Sequence, residues 1–376
     1  MSGAEGPLRI AVAGGSIGGL CAGLALRGAG FDVQVYERVS GPMETRGAGI
    51  VVQGELIELL RTHGKDALPT THCTVRRYLS PEGGAGKVQC APQDFTSWEA
   101  IYRTLAAAFP SDRYHRGATL ADFANGDGVV RAHIDSHGAV EVDVLVAADG
   151  AQSPTRRRLL PDLSSTYAGY VAWRGTLDEA NAPPDLLRFF DDAFTFSEAR
   201  SAGHILAYFI PGDGADTTPG NRRLNWVWYV GVGEADLPRV LVDRGGRQHH
   251  ASLPFGATPD SAISDLCDLA RREVHPMLAA LVAATPQPFL QTIVDVVPTR
   301  TVFGRVCLLG DAALVVRPHT AGATAKAARD AMTLARALKR AGWNVDAGLS
   351  GFEEMQIEFG RGLVEYGVAL GRRWAA

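Results

Sequence analysis

The chain has 376 residues, 46% of them apolar and 21% charged, with a formal net charge of −4. Such a length buries a large core and divides most naturally into two domains, and the faintly acidic balance argues against nucleic acid as a partner. No apolar run reaches the roughly 18 residues of a membrane span, and five cysteines without a C-x-x-C pair read as a reduced cytoplasmic protein with neither disulfide framework nor zinc site.

Residues 8–13 are small or β-branched, as in a strand buried on both faces, so the N-terminus reads as structure rather than as a signal peptide. A glycine turn, VAGGSIGGL at 12–20, opens a helix over 17–28 that ends at Gly28-Ala29-Gly30. DVQVYE at 32–37 follows as a second strand and completes a β-α-β unit. Segment 140–149 is another buried strand, ending in Asp-Gly. Three aromatic-rich runs at 194–199, 203–212 and 223–233 predict an antiparallel sheet, the body of a second domain. Residues 255–281 read as helix, and 302–311 as a strand ending in Gly-Asp. A long Ala-rich helix spans 320–340. The last helix carries a capping-box pattern, Ser350-x-x-Glu353, and a stripe of Phe352, Met355, Phe359, Leu363, Tyr366 and Leu370 read as core packing. The expected class is α/β. A Rossmann-like parallel sheet with helices takes 1–70, 95–165 and 290–376, and a second domain on an antiparallel sheet takes 71–94 and 166–289.

Gly14 and Gly19 supply the outer positions of a G-x-G-x-x-G dinucleotide fingerprint, with Ser16 at the middle one. The first glycine permits the turn, the second admits a pyrophosphate against the backbone, and the third lets helix and strand approach. The N–H groups of Ser16 and Ile17 then point at phosphate from the positive end of a helix. Serine is small enough to leave that approach open. Glu37 closes the second strand about 20 residues on, where an acid takes ribose hydroxyls; Arg38 beside it is ambiguous. Asp149 and Asp311 both end buried strands at the edge where open sheets bind ligands. A carboxylate at 311 suits the hydroxyls of a ribityl chain. Free N–H groups at Gly322, Ala323 and Thr324 suit the negative charge of a reduced flavin. These features favour FAD over NAD.

GGSIGGL…VYER, RGAGI, VAADGAQSPTRRRL and CLLGDAALVVRPHTAGATAKAARDA together resemble the three FAD signatures of the class A flavoprotein aromatic hydroxylases, the p-hydroxybenzoate hydroxylase-like family. YVAWRG (170–175), NWVWY (225–229) and RPHTAGATAKAA (317–328) are similar, within it, to the 2,6-dihydroxypyridine 3-hydroxylase-like members. The resemblance covers essentially the whole chain. It implies a single-component monooxygenase that uses FAD, NAD(P)H and O2 to hydroxylate a small hydroxypyridine-like or phenolic ring through a flavin C4a-hydroperoxide. It places Glu37 on the adenosine ribose, Arg46 near the ribityl and pyrophosphate, Gly49 and Ile50 near the ring, and Arg103 on the phosphates. The Leu120 backbone would meet the adenine, Asp149 the FAD and a transient nicotinamide, Asp311 the ribityl and pyrophosphate, and Pro318 the ring edge. Ser16, Ala323 and Ala325 depart from the glycine, glycine and asparagine of many relatives. The partners implied are a small aromatic substrate and O2, with assembly as a homodimer left open.

A hydroxylated ring reacts better as its anion, so a base beside it is useful. His319 next to Pro318 is one candidate, with a helix cap or ring-packing role as its structural alternative. Tyr208 and His204, four apart on one predicted strand, share a face and are the others. Trp226, Trp228 and Tyr229 read as core or pocket wall, Arg156-Arg157-Arg158 as a solvated helix face, and His249-His250 as loop without an acidic partner, so no metal is expected. Two other outcomes stay open: Baeyer–Villiger insertion, epoxidation or oxidative decarboxylation on the same flavin, and a flavin-binding module without oxygen transfer.

Overall fold

Small and β-branched runs pack without voids only when both faces are covered, and they form a six-stranded sheet here. Its order is Val302–Phe303, Val306–Leu308, Val144–Ala147, Arg9–Ala13, Asp32–Glu37, Tyr114–Arg116, parallel except for the hairpin between the first two. This computed structural model describes residues 6–41, 43, 49–65, 67–84, 86–201, 203–342 and 344–372, so Arg46 lies outside the described residues. Helices Ile17–Gly28, Gly54–Thr62 and Ala323–Ala341 cover one face of the sheet. A three-stranded antiparallel sheet, Leu120–Asn125, Val130–Ile134 and Gly138–Val142, covers the other. Strand Arg9–Ala13 is flanked on both sides by strands reached through different crossovers, so its carboxyl end opens a crevice.

The second sheet has eight strands. Their order is Phe289–Asp295, Thr166–Asp178, Arg223–Gly231, His204–Ile210, Ala193–Glu198, Thr71–Leu79, Lys87–Ser97, Gly49–Val51. All neighbours are antiparallel except Ala193–Glu198 with Thr71–Leu79. Alternation along the strands makes two unlike faces. Trp173, Trp226, Trp228, Ile205 and Phe209 face helices Pro184–Phe190, Asp260–Glu273 and Pro276–Ala284 in an apolar core. Tyr229, Asn225, Tyr208 and Arg174 occupy the alternate positions, on the other face.

Several local expectations change, among them the strand expected over 302–311, which is a short hairpin of Val302–Phe303 and Val306–Leu308. The run 140–149 is two strands of different sheets, separated at Asp143, whose carboxylate accepts from the Arg9 N–H at 2.7 Å. The helix expected over 255–281 starts at Asp260 and breaks at Val274-His275-Pro276, because proline cannot donate within a helix but suits its first turn. The Ala-rich helix begins at Ala323, three residues later than read. The last helix runs Val345–Gly371 and is capped by Asn344, whose side-chain oxygen accepts from the Ala347 N–H. Ser350 lies inside it, and Glu353 instead accepts from the Thr301 and Val302 N–H groups at 2.5 and 2.7 Å. Its buried face is Phe352, Gln356, Gly360, Val364, Gly367 and Gly371, so the stripe read as core is partly wrong: Met355 and Tyr366 are exposed.

A buried ion pair ties this helix to the sheet. Lys326, fully buried, donates to the Gly310 carbonyl at 2.6 Å and to Asp330 at 3.2 Å. The same Asp330 oxygen accepts from the Gly310 N–H at 3.1 Å and from Gln356 Nε2 at 3.0 Å. Both polar groups of Gly310, a residue at φ +63°, are thereby held.

Two stability tests follow from this packing. A Cβ at Gly19 would lie 1.7 Å from the Gly14 carbonyl oxygen, whereas at Gly18 the nearest atom is 3.9 Å away. Gly19→Ala loses about 1–3 kcal/mol in urea denaturation, and Gly18→Ala is neutral or gains up to about 1 kcal/mol. Lys326→Met alone leaves a buried unpaired carboxylate and costs about 3–5 kcal/mol, while adding Asp330→Leu removes that charge but leaves the buried Gly310 N–H and C=O without partners, so the double variant regains only part of the loss and stays about 2 kcal/mol below wild type; denaturation of the two variants side by side measures the difference.

Candidate active site

The crevice at the end of strand Arg9–Ala13 is built from backbone. Gly14 sits at φ +104°, and a Cβ there would lie 2.3 Å from the Ala148 carbonyl oxygen, so only glycine fits. Ser16 is the N-cap residue of helix Ile17–Gly28, yet its hydroxyl does not cap the helix. Glu37 is buried, and its two oxygens accept from the Gly15 N–H at 2.7 Å and the Val39 N–H at 2.8 Å. It therefore ties the glycine turn to the second strand, and each oxygen keeps a further lone pair. Tyr114 donates to the Gly15 carbonyl at 2.8 Å and closes the turn from the side. Across the crevice, Asp149 accepts from the Thr155 N–H with Oδ2, while its Oδ1 is buried without a partner.

Asp311 follows the gripped Gly310. Burial raises its pKa, and the charges of Lys326 and Arg156 oppose that rise. Arg156 corrects the reading of its run as a solvated face. It is buried, and Nη1 donates to the carbonyls of Asp311 and Ala312 at 2.9 and 3.0 Å; only Arg157 and Arg158 are exposed. Pro318 opens a short 3-10 turn, Ala321 is left-handed at φ +54°, and helix Ala323–Ala341 starts with no side-chain cap and no acid in its first turn. Gly322 is buried against Leu363, with Ala323 and Thr324 half-buried behind it.

The remaining expected cofactor contacts are scattered more widely. Arg38 is exposed, Arg103 is paired with Glu99 at 2.9 Å, and Leu120 starts the three-stranded sheet. Ile50 packs on the core of the parallel sheet. Gly49 opens the edge strand of the second sheet: its N–H donates to Asn225 Oδ1 at 2.9 Å, and a Cβ there would be 2.7 Å from the Tyr208 ring.

Tyr208 is buried and stacked on Phe95 with ring centroids 4.2 Å apart, and burial pushes its pKa up, which suits a wall rather than a base. His204 shares its face and stacks on Phe196. His319 is elsewhere on the rim, edge-on to Tyr229 at 5.6 Å and beside Tyr170 at 6.2 Å. Its Nε2 lies 2.9 Å from the Gly367 carbonyl. A carbonyl only accepts, so Nε2 carries the proton and Nδ1 the lone pair. Burial pulls this ring's pKa down to about 4. Next to it, Arg317 donates to both oxygens of Asp295 at 2.6–3.0 Å and to the Tyr170 hydroxyl at 3.2 Å, a buried pair joining this loop to the second sheet. The C-terminal helix reaches all of this through glycines: Cβ atoms at Gly360, Gly367 and Gly371 would meet Leu314, Thr320 and the Tyr170 hydroxyl at 2.8, 3.0 and 2.5 Å.

A flavin dinucleotide fits these residues. The glycine cradle at 14, the uncapped helix starts at 17 and 323, and the orphaned Asp149 oxygen are what a pyrophosphate and a hydroxylated chain require. Lys326, Asp330, Gln356, Arg156 and the Asp295–Arg317 pair escape sequence reasoning. The one local signal was a Lys and an Asp four apart among the alanines of 323–331. His249, read as lacking an acidic partner, pairs with Asp243 at 2.7 Å. No helix among the described residues is long and apolar enough to cross a membrane.

Known proteins share this arrangement. A family model described as FAD binding domain-like matches residues 167–295. The 2,6-dihydroxypyridine 3-monooxygenase of Paenarthrobacter nicotinovorans is 35% identical over 359 residues, covering 94% of this chain and 88% of the relative. The 6-hydroxynicotinate 3-monooxygenase of Bordetella bronchiseptica is 27% identical, covering 90% and 84%. The solved structure of 2,6-dihydroxypyridine-3-hydroxylase from Arthrobacter nicotinovorans matches at a TM-score of 0.90 and 33% identity, over 98% of this chain and 93% of that one. Sheet order, glycine cradle and relatives agree: the chain belongs to the class A FAD-dependent aromatic hydroxylases and is an FAD-dependent monooxygenase.

Proposed function

We propose that the chain hydroxylates a small hydroxypyridine, with NAD(P)H as reductant and O2 as the oxygen source. The observation that carries this is the division of the second sheet into two faces. One is closed by tryptophans and helices, and the other turns phenols, an amide and a guanidinium toward Gly49 and the His319 loop. An aromatic ring bearing hydroxyl or ring-nitrogen groups finds apolar walls and polar partners there. The five cysteines are all free, which supports a reducing, cytoplasmic setting.

When bound, FAD supplies acceptance of hydride from NAD(P)H and activation of O2. Gly14, Ser16 and Ile17 would hold its pyrophosphate, Glu37 its adenosine ribose, Asp149 and Asp311 its hydroxylated chain, and Pro318 with Gly322–Thr324 the edge of its ring. The buried side chains of Tyr208, Phe95 and Tyr229 would wall the site and keep water from a bound ring. His319 is an orienting acceptor rather than a proton store: its neutral Nδ1 takes a hydrogen bond from the substrate while Gly367 fixes the tautomer. This replaces the idea of a histidine titrating near neutrality.

The test is a panel of hydroxypyridines and phenols scored for stimulated NAD(P)H oxidation, with product mass. Stimulation with a gain of one oxygen atom is expected from a hydroxypyridine. Stimulation with lactone formation or loss of CO2 would replace this reading. Asp311→Ala weakens FAD binding about tenfold or more, as loss of a charged hydrogen bond requires, read by flavin fluorescence. With its pKa near 4, His319 stays neutral from pH 5 upward and is protonated only as pH falls toward 4. The pH profile of kcat/KM therefore carries no inflection near 6.5 from this group, and His319→Leu lowers coupled hydroxylation about tenfold, as loss of one orienting hydrogen bond requires, while peroxide release rises.

A further inference from the structure

Four arginines lie on the described strands of the second sheet: Arg76, Arg77, Arg174 and Arg223. Arg76 donates to Gln93, Arg77 to the Phe189 carbonyl, and Arg223 to Asp178 and Asp213. Arg174 has no such partner among the described residues. Its Nε is buried and unsatisfied. Arg174 is half-buried, and its enclosed Nε, like that of Arg76, lacks a partner; such an enclosed donor is costly unless a ligand or water completes it.

Its position defines what that ligand meets. Arg174 lies opposite Val227 on one neighbouring strand and Phe289 on the other. It shares a face with Tyr229 and Asn225, and through Asn225 with Tyr208, the pair that touches Gly49. Its charge acts on both phenols, yet burial holds Tyr229 up at about 12 and raises Tyr208 as well, so both stay neutral. The surrounding carboxylates do not compensate. Asp295 is six residues beyond Phe289 along the adjoining strand and already paired with Arg317, and Glu198 is three strands away in the sheet. Two guanidiniums on this face have no carboxylate partner among the described residues: Arg76, which Gln93 holds, and Arg174, which makes no side-chain hydrogen bond.

We propose that Arg174 is the specificity-determining residue of the substrate cavity and that it takes the ring as a monoanion, pairing with the oxygen of a deprotonated ring hydroxyl. The hydroxyl proton passes to bulk water as the ligand binds. Guanidinium is suited to a planar oxyanion, since it offers forked donors and never loses its charge. The paired anion is electron-rich, which is the form an electrophilic oxygen transfer needs. The assignment deepens the function proposed above and rests on it.

The test uses the purified FAD-loaded enzyme, without turnover, and two probes: 2,6-dihydroxypyridine and 2,6-dimethoxypyridine, which has no ionisable hydroxyl. Binding is read from the perturbed flavin spectrum, and ionisation from the ultraviolet spectrum of the bound probe against pH. In the wild type the bound dihydroxypyridine ionises at least one pH unit lower than it does free. Arg174→Met abolishes that displacement and weakens this probe at least tenfold, while the dimethoxy probe changes less than threefold. Arg174→Lys restores the displacement in part and serves in place of the methionine variant should that one lose its flavin. Equal weakening of both probes, or an unchanged ionisation of bound dihydroxypyridine in Arg174→Met, overturns the role of Arg174 alone. A wild type that gives no response to either probe overturns the substrate class, and Arg174 with it.

Discussion

The grip of Lys326 and Asp330 on the peptide of Gly310 is the interaction on which the rest of the site depends. It gathers three elements at one point: the end of strand Val306–Leu308, the long Ala-rich helix, and Gln356 of the C-terminal helix. A charged pair in a dry interior gives little net stability, because desolvation offsets attraction. What it gives is a geometry. Gly310 has one conformation in which both its N–H and C=O are satisfied, and that conformation directs Asp311. Arg156 then holds the next two carbonyls, so the turn is fixed from both flanks.

The same economy of backbone governs the opposite side of the crevice. Gly14 is pressed against Ala148, Gly19 against Gly14, and Gly15 is tied by Glu37 and Tyr114. Nothing in this wall is a flexible side chain. The second sheet works by contrast, through side chains that alternate between a sealed core and an inner face. Its edge strand closes over that inner face where Gly49 leaves room for Tyr208 and Asn225.

What was legible in the sequence follows from this division. Gly14, Glu37, Asp149 and Asp311 lie at or just past strand ends and Gly19 in the first turn of the following helix, all in a fixed local spacing, so their positions could be read along the chain. The aromatic runs also announced their sheet, since β-branched and aromatic periodicity is a local property. The partners of Arg156, Arg317 and Lys326 could not be read, because each reaches a carbonyl or carboxylate brought near only by folding. Ser350 and Glu353 misled for the same reason: a helix start was inferred from spacing, whereas Glu353 serves two N–H groups some 50 residues away. Arg174 stood in the quoted YVAWRG run with nothing to mark it, because what distinguishes it is a missing partner.

The glycines of the C-terminal helix set how closely that helix approaches the loop of residues 314–320. At 360, 367 and 371 the helix lies close enough to the loop of residues 314–320 that a single methyl group has no room. Any side chain added there would move outward the helix or inward the loop, and the loop carries Pro318 and His319. The placing of Pro318 and His319 is thus set in part by three positions with no side chain, and a substitution at any of them acts on the site through the backbone it displaces.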